Sequence, residues 1–425
     1  MKSSWEYKRL IDLGTFSRGI SKHRPRNDQI LFTNGKYPFV QTSDVKKANL
    51  YIKSNSEFYN EVGLSQSKLW PKGTLCITIA ANIAETGILA YPMCFPDSIV
   101  GFTANEKFSS ELFMYYVFEY LKQQIQNQAS GSIQDNINIE YLTNLKIRIP
   151  DKKSQDTISD LLSTLDTKII NNNAIAQQLE AMVKTIYDYW FLQFEFPNEE
   201  GKPYKSSGGK MVWNEELQRE IPAGWSIKNM GDFIDVVRGV SYSPKDVLEK
   251  PSKNSVSLLK SNNIQDNTIN LDSSIYLDRS KIKENQYLDK GSVFITMSSG
   301  SKAHMGKTAI IYKSIKYTYG AFCAKIIVDR DYNAMISLFF TSSYFRKYIE
   351  QVTSGTSINN ISVNHLQAIK IPVPPIEVSQ KFNEIVEPFY DELGNVFEQN
   401  QKLQSLRDFL LPLLMNGQVS VKTSE

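Results

Sequence analysis

Residues 154–190 read SQDTISDLLSTLDTKIINNNAIAQQLEAMVKTIYDYW. With Ile158 at heptad position a, the same seam takes Leu165, Asn172, Leu179 and Ile186, and the d positions are Leu161, Lys168, Ile175, Met182 and Tyr189. An apolar repeat of 3.5 residues held over about five heptads predicts a long helix of coiled-coil type. At ~1.5 Å rise per residue it would run roughly 55 Å, longer than an ordinary globular helix. A seam of that length needs a partner.

The partner lies in the same chain. The register recurs with Phe382, Phe389, Val396, Leu403 and Leu410 at a, and Ile385, Glu392, Gln399, Leu406 and Leu413 at d. The surrounding sequence is duplicated as well. Trp5, Asp12, Arg18, Gly19 and Ser21 align with Trp225, Asp232, Arg238, Gly239 and Ser241. KYPFVQTSDV from Lys36 faces NSVSLLKSNNI from Asn254, and KGTLCIT from Lys72 faces KGSVFIT from Lys290. These β-branched runs opened by turn residues predict strands. A helical pattern from Ser109 recurs near Asn333, and each copy reaches a Ser-Gly pair, Ser130-Gly131 and Ser354-Gly355, which reads as a left-handed helix cap. A last strand follows, ending at Pro150 and at Pro374. Self-similarity at a spacing of roughly 220 residues is a domain-scale duplication rather than a solenoid.

The predicted fold is therefore α+β. Two pseudo-repeated units with mixed or antiparallel sheets and helices, residues 1–150 and 221–374, are separated by two long helices, residues 151–195 and 375–425, that pair antiparallel. Such pairing would place the globular units at opposite ends. The Pro-, Gly- and Ser-containing stretch 196–220 is the connector. Lys168, Asn172, Glu392 and Gln399 put polar groups on the seam, where they can set register. Pro388 is expected to kink or interrupt the second helix.

A hydrophobic share of 41% with 22% charged residues describes a globular chain. No run approaches the ~18 apolar residues of a membrane span. Cys76, Cys94 and Cys323 sit in apolar contexts without metal-ligand or CxxC spacing and read as reduced core residues of a cytoplasmic protein. His23, His304 and His365 share no metal-ligand spacing with them, and no metal site is expected.

Three motifs could suggest catalysis. SGSKAHMGKT, from Ser299, nearly matches a phosphate-binding loop, but Gly300 is misplaced and GKT runs into a strand rather than a helix N-terminus. Asp151 with Asp166 and Lys168 matches the loose text of a metal-dependent nuclease, yet the latter two belong to the heptad helix. Pro374-Pro375 is followed by Ile376, not by the aromatic of a methyltransferase motif. The chain reads as non-catalytic.

What remains is binding. A net charge of +3 neither requires nor excludes DNA, because the distribution of charge decides. Basic and polar loops recur in both copies. Phosphate contacts from Lys and Arg would position the protein, while Asn, Gln, Ser, Lys and Arg would read base edges. In the first copy the candidates are Arg18, Lys22, Arg24, Arg26, Thr42, Ser43, Lys46 and Asn82. In the second they are Arg238, Lys260, Asn262, Asn263, Ser299 and Lys302. The helix-pairing set is Ile158, Leu161, Leu165, Leu179, Met182 and Ile186 against Phe382, Ile385, Phe389, Leu403, Leu406 and Leu410.

The duplicated architecture, the Ser-Gly turns running into strands that end IP or VPP, the heptad helices and the connector FPNEEGKPYKSSGG…WNEELQREIPAGW together resemble the specificity subunit of type I restriction–modification systems. The resemblance covers nearly the whole chain. It implies two target recognition domains, each reading half of a split, asymmetric sequence in double-stranded DNA, with the paired helices as a ruler for the unread spacer. It also implies two modification subunits that carry S-adenosylmethionine and methylate adenine, and restriction subunits that use ATP and Mg to cut DNA. No cofactor is implied on this chain. A two-headed protein-interaction scaffold without nucleic acid is the alternative.

Overall fold

A computed structural model describes residues 5–130, 137–265, 267–273, 275–354 and 360–421. Gly131 and Gly355, the glycines of the expected Ser-Gly caps at Ser130-Gly131 and Ser354-Gly355, lie outside the described residues. The chain divides into two compact units. One combines residues 1–172 with 400–425, and the other spans residues 173–399. Each unit thus holds a piece of both long helices.

In the first unit, strand Glu6–Arg9 pairs antiparallel with Lys146–Ile149, placing Glu6 opposite Ile149. Gly14–Arg18, Ile99–Ala104, Leu75–Thr78 and Thr86–Leu89 follow one another as antiparallel neighbours, and Tyr51–Ile52 adds a parallel edge. Leu75 to Thr78 and Thr86 to Leu89 are wholly buried, because helix Glu111–Ser130 covers the sheet and drives Phe113, Tyr116, Val117 and Phe118 into the core.

The second unit repeats this plan. Ser226–Asn229 pairs with Lys370–Val373, with Ser226 opposite Val373. Ile234–Arg238, Cys323–Val328, Val293–Thr296 and Thr308–Ile310 form the four-stranded counterpart. Ile234 faces Val328 as Gly14 faces Ala104, so the duplication extends to hydrogen-bond register. The units diverge elsewhere. The second builds a separate sheet from Val247–Leu248, Tyr276–Asp278, Ser255–Leu259 and Tyr317–Tyr319, where the first has only the two-stranded pair Tyr37–Phe39 and Glu57–Tyr59 beside its edge strand. A hairpin, Met211–Asn214 with Arg219–Pro222, occupies the connector.

The long helices are Lys152–Tyr187, extended by a π-helical turn at Asp188–Leu192, and Ile376–Met415. The interruption expected at Pro388 is absent. The second helix runs through it as one element, losing one main-chain donor but keeping its buried face in place. The helices are antiparallel within each unit. In the first unit Asp166 bonds Arg407, and one turn or more onward Asn172 accepts its place beside Asn400, whose side-chain oxygen takes a hydrogen bond from the Asn172 amide at 2.9 Å. In the second unit Trp190 and Phe191 pack on Phe382, while Tyr312 sits between Glu180 and Tyr390.

The seam departs from the predicted one in one column. Ile158 and Phe382 are buried, and Leu161, Leu165, Leu179, Ile186, Phe389, Leu403 and Leu410 are half-buried. Met182, Ile385 and Leu406, however, point outward, Met182 being 52% exposed. The d column is displaced by one residue, to Leu162, Ile169 and Val183 on the first helix and Val386, Leu393, Asn400 and Leu414 on the second. Each helix must bury a face against its own globular layer as well as against the other helix, and the resulting stripe takes in polar residues. Ser159 and Asp166 are buried on it. Gln155, also buried, donates to the carbonyls of Phe108 and Pro150, both at 3.0 Å.

Glu180 is a costlier member of this stripe. Burial holds its carboxyl above the ordinary carboxylate range, against a weak opposing bond from the Tyr312 hydroxyl at 3.4 Å. A folded-state pKa raised above the unfolded value means that the fold favours the protonated acid. The penalty is absent below the ordinary value of 4.5 and develops as pH rises through the folded pKa. Glu180→Gln is therefore expected to raise the unfolding midpoint of this unit at pH 7, with the gain vanishing toward pH ~4. A gain that persists in acid would show that the charge is not its cause.

Cys76, Cys94 and Cys323 are buried and free. Among the described residues no helix is long and apolar enough to cross a membrane, and no group of three His, Cys, Asp or Glu could hold a metal ion.

Candidate nucleic-acid interface

In each unit two candidate loops, after Arg18 and Thr78 and after Arg238 and Thr296, leave the same end of one antiparallel sheet. The third follows a strand of a separate sheet, and a glycine lets the backbone cross closely beside them. The backbone after Arg18 crosses directly over residues 95–96: a Cβ on Gly19 would lie 2.3 Å from the Pro96 oxygen and 2.4 Å from the Phe95 oxygen. After Arg238 the crossing recurs, with a Cβ on Gly239 falling 2.3 Å from the Gly320 oxygen and 2.4 Å from the Tyr319 oxygen. The Gly19 amide donates to the Ile99 carbonyl at 2.8 Å, and that of Gly239 to Cys323 at 3.1 Å. Only glycine permits this approach.

In the first unit, Arg18 and Lys22 are exposed, with no ion pair among the described residues. Arg24 and Arg26, candidates for phosphate contact, are already engaged within the protein. The Arg24 guanidinium donates to the Ser21 and His23 carbonyls at 2.7 and 2.8 Å and approaches Asp97, while Arg26 pairs with Asp97 at 2.6 Å. Their local task is to fold the loop onto residues 95–98. Thr42 and Ser43 open helix Thr42–Lys47, whose start is held by Asp44 accepting from the Gln41 amide at 2.8 Å and the Ser56 hydroxyl at 2.9 Å. Ser43 and Lys46 are exposed and Thr42 half-buried. Lys46 reaches the Asn82 side-chain oxygen at 3.4 Å, so two separate candidate loops meet.

The turn carrying Asn82 is braced from behind. The Thr78 hydroxyl bonds the Asn82 carbonyl and accepts from the Glu85 amide at 2.9 Å. Lys122 pairs with Glu85 at 2.7 Å, and the Gln126 amide donates to the Ile83 carbonyl at 3.0 Å. Ala81 and Ala84 both take positive φ, +62° and +61°, a conformation costing of order 1 kcal/mol for a residue with a Cβ. In the second unit Gly306 occupies the place of Ala84. Its amide bonds the Thr296 carbonyl, as that of Ala84 bonds Thr78, and Arg346 braces the turn through the Met305 carbonyl at 2.6 Å.

The second unit joins its loops through the segment Tyr319 to Cys323. Val240 donates to the Tyr319 carbonyl at 2.7 Å, Gly320 to Leu259 at 3.0 Å, and Met297 and Ser298 to Phe322 at 2.8 and 3.0 Å. These bonds gather the loops of Arg238, Lys260 and Ser299 at one place. Arg238 is half-buried, its guanidinium donating to the Ile361 carbonyl at 3.3 Å, and burial lowers its pKa from the ordinary value. Lys260 and Asn262 are exposed and Ser299 half-buried. Lys302 lies in the short helical turn Lys302–His304, and its side chain falls outside the described residues. Asn263 is a correction. It is buried, its oxygen caps the Lys260 amide at 2.8 Å, and its amide donates to the Asn270 and Asp272 carbonyls. With both amide donors spent on the turn and the side chain buried, it has no donor left for a base.

Two residues were not legible as site residues. Asp97 binds two arginines far behind it in sequence. Phe322 is 71% exposed at the meeting point of three loops, although it stands next to the buried Cys323 in the run TYGAFCAKI. The nuclease-like residues are structural. Asp151 caps the first long helix, accepting from the Ser154 amide at 3.0 Å, and Asp166 is enclosed by Tyr116 and Arg407.

Comparison with known proteins agrees with this layout. The family model described as type I restriction modification DNA specificity domain matches twice, over residues 2–181 and 222–405. A type I restriction enzyme specificity subunit, MjaIX, of Methanocaldococcus jannaschii is 24% identical, over 98% of this chain and 94% of its own. The EcoKI specificity subunit of Escherichia coli is 27% identical over 48% of this chain and 45% of its own. A crystal structure of a type I restriction–modification S subunit from M. genitalium shares the fold, with a TM-score of 0.57 at 16% identity, covering 99% of this chain and 97% of that one. With the specificity domain present twice on two matching scaffolds, the chain belongs to the type I restriction–modification specificity family and is a non-catalytic DNA sequence-recognition subunit.

Proposed function

We propose that each unit reads one half of a bipartite, asymmetric DNA target, and that the long helices fix the spacing and dock two modification subunits. The observation that carries this reading is one scaffold built twice with unlike tips. The same Arg-Gly crossing and the same braced turn recur, but Asp97-Ser98 with its arginine pair stands in one unit where Ala321-Phe322 stands in the other. Unlike tips on like scaffolds favour unlike half-sites.

Ile175, Met182, Tyr189 and Leu192 form an exposed apolar stripe on the first helix within the second unit, and Leu406 and Phe409 are exposed on the second helix within the first. Such outward apolar residues at helical spacing suit a partner helix face. On this reading S-adenosylmethionine sits on the modification subunits, while ATP and Mg serve restriction subunits, all in the cytoplasm. This chain contributes recognition and geometry.

The test is genome-wide adenine methylation in cells that express the chain with its modification subunit. A split motif, two short defined blocks around a fixed unspecified run, is expected. Exchanging residues 1–150 for those of another family member should then change one block alone. Change in both blocks would sink the one-unit, one-half-site assignment. Binding of the complex to duplex DNA should weaken log-linearly with salt, as phosphate neutralisation requires. Salt-independent binding would favour a protein scaffold instead.

A further inference from the structure

We infer that Phe322 is a specificity-determining residue of the second unit, placing an aromatic face against a base where the first unit offers only a hydroxyl. The inference rests on the DNA-reading role of these loops and goes beyond it by naming an apolar reader that the basic and polar candidates omit.

The backbone around Phe322 is fixed. Its carbonyl accepts from both Met297 and Ser298, the Ala321 amide donates to the Val240 carbonyl at 3.0 Å, and the Cys323 amide donates to Gly320 at 2.8 Å. Tyr319 and Cys323 on either side are fully buried. Between these anchors the Phe322 side chain is 71% exposed, the most exposed large apolar side chain described in this unit. A large aromatic left in water on a rigid segment serves neither the core nor chain entropy. A lone exposed apolar side chain is ordinary by itself; what singles out Phe322 is its rigid segment at the junction of three polar loops.

The surroundings identify the contact. The same segment ties together the loops that carry Arg238, Lys260 and Ser299, so a duplex held by these loops would lie beside Phe322. A duplex offers an aromatic ring the thymine methyl group or the face of a partly unstacked base. Both are sequence-dependent, and both reward apolar area on a preordered backbone. The first unit supplies the contrast. Ser98 holds the equivalent place, its carbonyl accepting from Ile79 at 2.9 Å as that of Phe322 accepts from Met297.

The experiment compares the methylation motif of cells expressing the modification subunit with the wild-type chain, Phe322→Ala or Phe322→Ser. The wild-type motif is read first, and its absence would be a failure of the DNA-reading assignment rather than of this inference. Each variant is expected to relax discrimination about tenfold at one base position of the second half-site. The first half-site and the spacer should remain as in the wild type. An exposed side chain should leave the unfolding midpoint unmoved, which separates recognition from folding. A motif unchanged at every position would overturn the inference. So would uniform loss of methylation with undiminished DNA binding by the complex, which would make Phe322 a subunit contact.

Discussion

Replacing Gly239 with alanine is expected to destabilise the second unit by about 3 kcal/mol and to abolish recognition of one half-site. The new Cβ would lie 2.3 and 2.4 Å from two main-chain oxygens. Those oxygens cannot swing away as a side chain could, because the Tyr319 carbonyl is bonded to Val240 and the neighbouring amides are bonded in turn to Leu259 and Val240. Relief requires moving the whole Tyr319–Cys323 segment, and with it the meeting point of three loops. Gly19→Ala should do the same to the first unit, where the obstructing oxygens belong to Phe95 and Pro96. Denaturant unfolding and methylation mapping of the two variants check this together. Each should lose a different half-site. Two stable variants with the wild-type motif would show that the crossing yields more easily than its bonds suggest.

Arg407→Ala should cost the first unit about 3 kcal/mol, for a different reason. Asp166 is buried and receives a bond from the Tyr116 hydroxyl at 2.6 Å and from the Arg407 guanidinium at 2.9 Å. Two paired charges in such a place add little net stability, but an orphaned carboxylate must be either charged and unsolvated or protonated. The companion Asp166→Asn in the Arg407→Ala background should recover much of the loss, since the amide carries no charge and its oxygen still accepts from Tyr116. If the double variant is no more stable than the single one, packing of the arginine stem rather than charge accounts for the effect.

These effects show which parts of the molecule pattern alone can reach. The duplication was legible because paired strands keep apolar residues at matched positions, and its reach to register, Gly14 on Ala104 and Ile234 on Val328, follows from that. The helix seam was legible in its a column and misplaced in its d column. Asp166 and Ser159 are buried on the stripe and Glu180 is half-buried on it, and an apolar pattern passes over them because only tertiary partners make their desolvation tolerable. The loops named from the sequence lie together in each unit, but the division of labour within them was not legible. Arg24 and Arg26 look like free cations until Asp97 closes on them, and Asn263 looks like a base reader until its amide is seen bonded to its own turn. Long-range partners carry no local signature.

The first unit is begun by residue 5 and finished by residue 415. Leu414 and Met415 lie in its core, Leu410 and Leu411 pack beside them, and Gly417 closes against Trp5. On the ribosome, the domain synthesised first must therefore wait with an open flank until nearly the entire polypeptide has emerged. The second, lying wholly within residues 173–399, can close earlier. A premature stop near residue 400 would consequently spare the later-made domain and leave the earlier-made one incomplete.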